Sequence, residues 1–406
     1  MNKGGHQTRP VKPRAIAPGL TGVPVNVVLT VLLVLAALDL LLWGLMLLGA
    51  LAASRDRRHV LGLAPIEVAE PLPSVSILFP ARDEAEVIGP AITSALAQDY
   101  PDLEVLLIDD NSTDGTAEVA LAAAAADPRF RLLTGTPLAQ GWKGKPWALW
   151  QAQQQARGEL LLFVDADVVL SPLATRRAVE TLLSRELDLL SAWGTWIMDS
   201  VGVKVALPVV GGFVRGAHPL DRVNDPAQEA VFANGQFILM RRTAYDAMGG
   251  HTAVKDEVLE DVRLAQAVRR AGQRGGMVLA PDWFRVRLYT TLPALWSGTV
   301  KNFYAGMGQR AGLAALAALF VAYTALFPLV ALAAGAVTGD LVLTGVALGA
   351  LALMALFRTV QDRPLGLSPI CALTHPVGAS ILLGVIVTSA WRGARGKATT
   401  WKGRPV

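Results

Sequence analysis

The stretch that decides the fold is LLLFVDAD at residues 160–167. The five apolar residues at 160–164 predict a buried β-strand, and two carboxylates, Asp165 and Asp167, follow its end one residue apart. This arrangement suits Mg²⁺ or Mn²⁺, which take a few protein oxygens and complete their coordination with phosphate oxygens and water. An Asp-x-Asp sequence is also common in ordinary turns, so the metal interpretation depends on the motifs around it.

Two earlier segments, 74–79 and 103–108, predict further strands, and helical segments follow them at 86–97 and 116–126. Strands and helices alternating at this length predict βαβ units and a parallel sheet. Ligands bind outside the carboxyl ends of such strands, so the acids that follow them are expected to meet at one edge. These acids are Asp83, Glu84, Asp109, Asp110, Asp165 and Asp167. Six carboxylates at one edge repel one another unless a cation or the donors of a ligand compensate.

Two later segments add candidate residues. Residues 141–145, GWKGK, predict a mobile basic loop in which Lys145 reaches phosphates, with a solvated loop as the alternative. Residues 257–264, EVLEDVRL, predict a helix start with Glu260 and Asp261 in its first turn, which alone is ordinary helix chemistry. The sequence contains no P-loop spacing, and no G-x-G-x-x-G follows the first strand, which argues against a dinucleotide oxidoreductase.

The composition indicates a membrane protein, because 52% of the residues are hydrophobic and only 17% are charged. Residues 23–53 form an almost unbroken apolar run that is long enough to cross a hydrocarbon core of ~30 Å as a helix. A signal peptide is the competing interpretation, but its apolar region spans only about 7–15 residues, so a retained transmembrane helix is predicted. Residues 1–22 predict a flexible tail. Asp39, inside the run, is expected either to pair with a C-terminal helix or to be shielded by packing.

The C-terminal part predicts two or three more transmembrane helices within residues 311–390. The apolar segments lie near 311–335, 341–357 and 368–390, and the second is short enough to be partly interfacial. Before them, residues 291–310 predict an amphipathic interfacial segment, with a buried domain helix as the alternative. Residues 391–406 predict a basic tail.

Charge and cysteine content exclude other classes. The formal net charge is +4, and the basic residues lie mostly beside apolar segments, which favours anionic lipid head groups over nucleic acid. The single Cys371 excludes an intramolecular disulfide and argues against a cysteine-based metal site. A transporter or channel would place most of its mass in the bilayer, whereas residues 72–290 predict a globular α/β domain.

Four motifs in this order resemble the family 2 glycosyltransferases of GT-A fold, over about residues 74–271. The motifs are Pro80-Ala81-Arg82-Asp83-Glu84, Asp109-Asp110-Asn111-Ser112-Thr113-Asp114, Asp165-Ala166-Asp167 and Glu260-Asp261. The apolar flanks resemble the lipid-modifying branch, with its carotenoid- and hopanoid-associated enzymes and ceramide glucosyltransferase. The resemblance implies an α/β GT-A (nucleotide-diphospho-sugar transferase) domain with a mostly parallel sheet, flanked by transmembrane helices.

The resemblance also implies a role for each motif residue. The nucleotide-sugar is expected on Pro80, Asp83, Glu84, Asp109, Asp110, Lys145 and Asp165, with Asp109 supporting the turn. Asp165 and Asp167 hold the diphosphate through Mg²⁺ or Mn²⁺, and Asp261, with Glu260 beside it, is the general base. The implied reaction is an inverting transfer of one sugar from a nucleotide-sugar, expected to be a UDP-sugar. The acceptor is the hydroxyl or carboxyl group of a lipid or polyprenoid.

One departure from the family pattern separates single transfer from polymer synthesis. Processive members carry Gln-x-x-Arg-Trp after the base, whereas residues 295–302 here read LWSGTVKN. A single transfer is therefore predicted, and the alternatives are a processive polysaccharide synthase and a non-catalytic membrane scaffold with a degenerate transferase domain.

The predicted topology contains a conflict. An integral cell-membrane protein with a cytoplasmic catalytic domain and three C-terminal spans would leave the basic C-terminus outside, against the positive-inside tendency. Either one C-terminal segment does not cross, or the N-terminal region crosses twice.

Overall fold

A computed structural model describes residues 25–55, 58–228, 230–395, 400–401 and 404–405. The predicted tail at residues 1–22 lies outside the described residues, as do 396–399, 402–403 and 406 of the predicted basic tail. The described chain consists of an α/β part and apolar helices on both sides of it in sequence.

The strands follow the alternation that the apolar runs predict, with several short additions. They are β1 Val75–Ala81, β2 Leu103–Asp109, β3 Phe130–Thr134, β4 Leu160–Val164, β5 Val168–Leu170, β6 Leu189–Trp193, β7 Thr195–Trp196, β8 Phe237–Arg241, β9 Gly275–Leu279, β10 Phe284–Val286, β11 Thr400–Trp401 and β12 Arg404–Pro405.

The helices fall into short ones around the sheet and long ones at the two ends. They are α1 Val25–Arg55, α2 Ile88–Leu96, α3 Thr116–Ala124, α4 Gly144–Gln155, α5 Ala174–Ser184, α6 Val201–Ala217, α7 Leu220–Asn224, α8 Arg242–Ala247, α9 Glu260–Arg270, α10 Leu292–Gly306, α11 Ala311–Thr338, α12 Leu341–Asp362 and α13 His375–Ala394. Short 3-10 turns lie at Gly250–Val254, Arg363–Leu365 and Pro369–Thr374.

The main sheet has the strand order β3-β2-β1-β4-β8-β6-β9. The pairs β1–β2, β1–β4, β2–β3 and β6–β9 are parallel, and β8 runs antiparallel to both β4 and β6. Every residue of β4 is buried, because helices cover both faces of the sheet; Leu162 packs into the core on one face and Phe163 into the core on the other. The predicted α/β fold with a mostly parallel sheet is confirmed.

A second sheet, β5-β10-β7, lies next to the end of β4. In it, β10 is antiparallel to β5 and parallel to β7. Strands of two or three residues are too short to show a periodic pattern, so the sequence did not predict them.

Two boundaries differ from the prediction. Strand β1 runs to Ala81, so Pro80 lies inside it, opposite Ile108. Pairing with β4 ends at Leu78, and beyond that point β1 tolerates a residue without an N–H. The predicted mobile loop at 141–145 is wrong for Lys145, because α4 begins at Gly144 and Lys145 lies in its first turn.

Four segments are long and apolar enough to cross a membrane: α1, α11, Leu341–Leu365 and Pro369–Ala394. Helix α12 is longer than the predicted segment at 341–357. It continues to Asp362 because Arg358 and Asp362, one turn apart, pair at 2.7 Å and neutralise each other. Helix α1 packs against α12 and α11, whereas α13 packs against α11, α6 and α10.

Asp39 of α1 is completely buried in this helix packing. Neither of its carboxylate oxygens has a hydrogen-bond partner among the described residues, so the expected pairing with a C-terminal helix is not found and the alternative, shielding by packing, describes its surroundings. Nearby polar groups satisfy one another instead: Trp43 Nε1 donates to the carbonyl of Thr324, and Tyr323 Oη donates to the carbonyl of Leu35.

Candidate active site

The candidate site lies at the edge of the main sheet where β1, β2 and β4 end, and the start of α9 completes it. Its centre is Lys145, whose Nζ is 2.6 Å from Asp165 Oδ1 and 2.9 Å from Glu260 Oε1. The first turn of α4 thereby links the end of β4 to the start of α9. The structure brings three of the predicted site residues into direct contact.

Asp261 lies beside this chain of ion pairs. Its Oδ2 accepts a hydrogen bond from the Gly235 amide and its Oδ1 accepts one from the Val262 amide, both at 2.8 Å. Burial raises the pKa of Asp261 to about 6, and the negative charge of Glu260 acts in the same direction. A carboxylate that is fixed by two amides and titrates near the working pH is suited to accept a proton as a general base.

Gly235 is required at its position by the closeness of these side chains. A Cβ at residue 235 would lie 2.9 Å from Lys145 Nζ and 3.1 Å from Asp261 Oδ2. Any larger residue would displace one of the two. The sequence analysis did not assign a role to Gly235, because nothing in NGQF at 234–237 indicates what packs on it.

The surroundings of Asp167 indicate whether the site fits a metal ion. Its Oδ1 is buried and has no hydrogen-bond partner in the part of the chain that the structure describes. Burial, together with the negative charges of Asp165 and Glu84, raises the pKa of Asp167 to about 7. Among the described residues, no group of three or more His, Cys, Asp or Glu side chains forms a complete cage for a metal ion. The buried, unpartnered Oδ1 of Asp167, two residues from Asp165, fits a divalent cation that would take most of its ligands from a bound diphosphate and water.

The loops after β1 and β2 use some of their acids to hold themselves together. Asp83 Oδ1 accepts from the Thr113 amide at 2.8 Å, and Asp109 Oδ1 accepts from the Ser112 amide at 3.1 Å. These contacts give Asp109 the turn-supporting position expected of it, and they give Asp83 a similar one.

The remaining acids are placed differently. Glu84 lies within electrostatic range of Asp167. Asp110 is buried at the end of β2, where its amide donates to the carbonyl of Ala81 at 2.8 Å. The six predicted carboxylates thus lie at or just after the ends of the adjacent strands β1, β2 and β4, and of the six it is Asp165 that pairs with Lys145.

Sequence reasoning missed Lys301, which reaches the site from α10. Burial lowers the pKa of Lys301, while the charges of Glu260, Asp165 and Asp261 oppose this shift, so its ammonium lies within electrostatic range of these carboxylates. The helix lies inside the predicted segment at 291–310 and spans Leu292–Gly306. Its packing over the sheet edge is a tertiary contact for which the local sequence carries no signal.

His251 is a second neighbour of the site. It is buried, its Nδ1 is 2.7 Å from Tyr245 Oη, and burial lowers its pKa to about 3, so the ring is neutral. Together with Lys145, Glu260 and Asp261 it lines a small cleft.

Fold and site together define a GT-A glycosyltransferase architecture. A solved mannosyltransferase from Pyrobaculum calidifontis, in complex with GDP-Man and Mn²⁺, is similar with a TM-score of 0.50. That similarity covers 90% of this chain and 99% of the other at 20% sequence identity, so it supports the fold alone. Residues 76–249 match the model of glycosyl transferase family 2, and the chain therefore carries a domain of this family. The match includes the motifs from Pro80 to Asp167 and ends before Glu260 and Asp261.

Curated relatives agree with the family. The chain is 30% identical over 223 residues to a 4,4'-diaponeurosporenoate glycosyltransferase of Staphylococcus aureus, covering 52% of this chain and 55% of the relative. It is 36% identical over 110 residues to a glucosyl-3-phosphoglycerate synthase of Mycolicibacterium paratuberculosis, covering 26% of this chain and 32% of the relative. The chain spans about half the length of the diaponeurosporenoate relatives it matches. The predicted family 2 domain is confirmed, and the relatives that the chain matches include carotenoid-associated glycosyltransferases.

Proposed function

We propose that this chain transfers a single sugar from a nucleotide-sugar, expected to be a UDP-sugar, to the hydroxyl or carboxyl group of a lipid, with inversion at the anomeric carbon. The observation that carries the proposal is Asp261, held by two amides beside the ion pairs that Lys145 forms with Asp165 and Glu260. A bound Mg²⁺ or Mn²⁺ would neutralise charge on the departing diphosphate.

The residues of the chain account for the remaining steps. The acceptor oxygen attacks the anomeric carbon while its proton passes to Asp261. The bond between that carbon and the diphosphate oxygen breaks, and its electron pair leaves with the diphosphate. Asp165 and Asp167 would hold the cation, and Lys145 and Lys301 supply positive charge around the diphosphate. The nucleoside is proposed to bind to residues at the same edge of the sheet, namely Pro80, Asp83, Glu84, Asp109 and Asp110.

Replacing the base tests this mechanism. Asp261→Asn keeps the shape and one acceptor oxygen but removes the basic carboxylate, so turnover should fall by about 10²–10⁴-fold while the donor still binds. The matched control is Asp256→Asn, on the exposed turn before α9. Consumption of nucleotide-sugar and binding of the nucleotide are measured with added Mg²⁺ or Mn²⁺. Near-normal turnover would contradict the base assignment and favour an acceptor carboxylate, which is already ionised.

A lipid acceptor is supported by the position of the site beside the apolar helices. Helix α10 packs on α13 and carries Lys301 to the carboxylates, so one helix contacts both the apolar helices and the site. The absence of Gln-x-x-Arg-Trp favours one transfer over polymer synthesis. Lipid profiling of cells with and without the gene tests both points: a glycolipid lost on deletion supports the proposal, and a lost polysaccharide would support the processive alternative.

We also infer that α1, α11 and α12 cross the membrane, whereas α13 does not. Helix α11 starts beside α10, next to the α/β part, and α12 runs back antiparallel to it, with Thr344 near the first turn of α12 against Gly335. Helix α13 then begins on the side of the α/β part. Its end stays there, because Ser389 Oγ accepts from the Tyr304 amide at 2.9 Å and Gly393 packs on the Tyr304 ring.

This topology removes the conflict in the charge distribution. Both ends of α13 would lie on the side of the catalytic domain, and Arg392 and Arg395 with them. The positive-inside tendency then supports a cytoplasmic catalytic domain.

Single cysteines introduced into a Cys371→Ala background test the topology with a membrane-impermeant reagent. Arg395→Cys should be labelled from the same side as Asp256→Cys, and Val337→Cys, 87% exposed at the opposite turn, from the other side. Labelling of residue 395 together with residue 337 would show that α13 crosses.

A further inference from the structure

A group of four polar side chains, three buried and one half-buried, lies where the α/β part meets the apolar helices. It consists of Arg215 near the end of α6, Arg358 and Asp362 at the end of α12, and His375 at the start of α13. We call these four residues the arginine cluster. Arg358 and Asp362 are each 2% exposed and His375 is 8% exposed.

The hydrogen bonding of the arginine cluster is incomplete. Arg358 Nη2 donates to Asp362 Oδ2 at 2.7 Å. Four further polar atoms are buried without a hydrogen-bond partner among the described residues, one from each member. They are Arg215 Nη2, Arg358 Nε, Asp362 Oδ1 and His375 Nδ1. Buried polar atoms nearly always have partners, so four orphans in one place indicate a group that binds there.

The arginine cluster also carries excess positive charge. Two guanidinium groups face one carboxylate, and the Arg215 guanidinium lies over the Trp196 ring, 5.2 Å from its centroid. Burial lowers the pKa of Arg215 to about 10, with Asp362 opposing the shift, so the side chain remains charged at neutral pH. An uncompensated charge in such surroundings is costly, and an anion would compensate it.

The position of the arginine cluster indicates where the anion comes from. Trp196 lies in β7, which pairs with β10, which pairs with β5 immediately after Asp167. Two strand spacings, about 10 Å, therefore separate β7 from β5. The cluster draws on α12 and α13, which lie within two of the segments apolar enough to cross a membrane, and this favours a lipid over the donor as the source of the anion.

We propose that the arginine cluster binds the phosphate of an anionic phospholipid head group between α6, α12 and α13. The planar fork of arginine matches phosphate oxygens in pairs, and basic pockets between membrane helices suit anionic head groups. The phosphate fills the positions left by Arg215 Nη2 and Arg358 Nε. The proposal concerns a site for a resident lipid and does not depend on the identity of the sugar acceptor.

The full chain in nanodiscs tests the site. Wild type is compared in pure phosphatidylcholine and in phosphatidylcholine with added phosphatidylglycerol, by the unfolding temperature and by mass spectrometry of retained lipid. Phosphatidylglycerol should raise the unfolding temperature and remain bound. Arg215→Gln should weaken its retention about tenfold, the loss of a hydrogen bond to a charged group. Arg215→Lys should retain it in part, and Arg222→Gln, exposed on α7, should retain it fully.

Three outcomes would overturn the proposal. The first is equal affinity of wild type for the two lipids, which needs no variant and so does not depend on whether a variant folds. The second is unchanged phosphatidylglycerol retention in Arg215→Gln that still hydrolyses nucleotide-sugar. The third is an equal shift of the unfolding temperature by inorganic phosphate in detergent, which would identify a free-anion site and not a lipid site.

Discussion

At the scale of single residues, the site depends on how closely opposite charges are placed. The Lys145 ammonium lies between Asp165 and Glu260, and the Asp261 carboxylate is held separately by backbone amides. Because Asp261 is fixed by amides and not by the ammonium, it can take a proton without losing an ion pair. This separation of roles leads to two predictions.

The rate should depend on the ionisation of Asp261. A general base works only when it is deprotonated, and burial raises the pKa of Asp261 to about 6. The value of kcat/KM should therefore be level above this pH and fall about tenfold per pH unit below it. Measurement from about pH 5 to 8 checks this, with Asp256→Asn as the control that keeps the profile. A rate that stays constant through pH 6 would exclude Asp261 as the titrating base.

Gly235→Ala should damage activity more than stability. The added methyl would meet Lys145 Nζ at 2.9 Å and Asp261 Oδ2 at 3.1 Å, and displacing either should cost about 10²-fold in turnover. The control is Gly212→Ala, where nothing lies within 4 Å of the added methyl. Turnover and thermal unfolding are measured for both variants. Equal turnover of the two would mean that the spacing around residue 235 does not matter.

At the scale of elements, the helices α1 and α10 each carry a charged residue whose position is not explained by the sequence pattern of the helix. Helix α10 is largely covered by α6 and α13, so it is a packed helix that also presents Lys301 to the site. For residues 291–310 the sequence indicated either an amphipathic interfacial segment or a buried domain helix. The packing of α10 agrees better with the buried helix. Helix α1 carries an acid, Asp39, into apolar packing.

Lys301→Met should lower turnover by about 10²-fold, because it removes positive charge from the place where the diphosphate departs. Lys301→Arg should restore part of the rate. Lys204→Met, exposed on the neighbouring α6, is the control and should behave as wild type. Steady-state kinetics of nucleotide-sugar consumption provide the measurement. If Lys301→Met and Lys204→Met were equally active, Lys301 would have no part in the reaction.

Asp39→Leu should stabilise the membrane helices. Both carboxylate oxygens are buried without partners, and an unsatisfied buried group costs about 1–3 kcal/mol, which leucine avoids. Thermal unfolding in detergent should therefore shift upward. Thr30→Leu on the exposed face of α1 is the control and should change little. A destabilised Asp39→Leu would reveal that the carboxylate has a partner or a role of its own.

At the scale of the whole molecule, the sequence predicted those elements in which an apolar run of residues is also buried in the fold. Strand β4 is a continuous apolar run, and β2 is apolar from Val105 to Ile108. Asp109 is the last residue of β2, and Asp165 follows the last residue of β4. The antiparallel insertion of β8 and the short strands β5, β7 and β10 depend on pairing between distant segments. Lys301 was missed for the same reason.

The packing of α10 on α13 means that the catalytic site is not self-sufficient within the sheet. A fragment ending at Leu288, before α10, would retain the main sheet and the acids from Asp83 to Asp261, yet it would lack the ammonium of Lys301. The same helix, α10, therefore contacts the apolar helices and supplies a charged group to the site. A fragment without the membrane helices should fold and bind nucleotide, but its turnover should be slow.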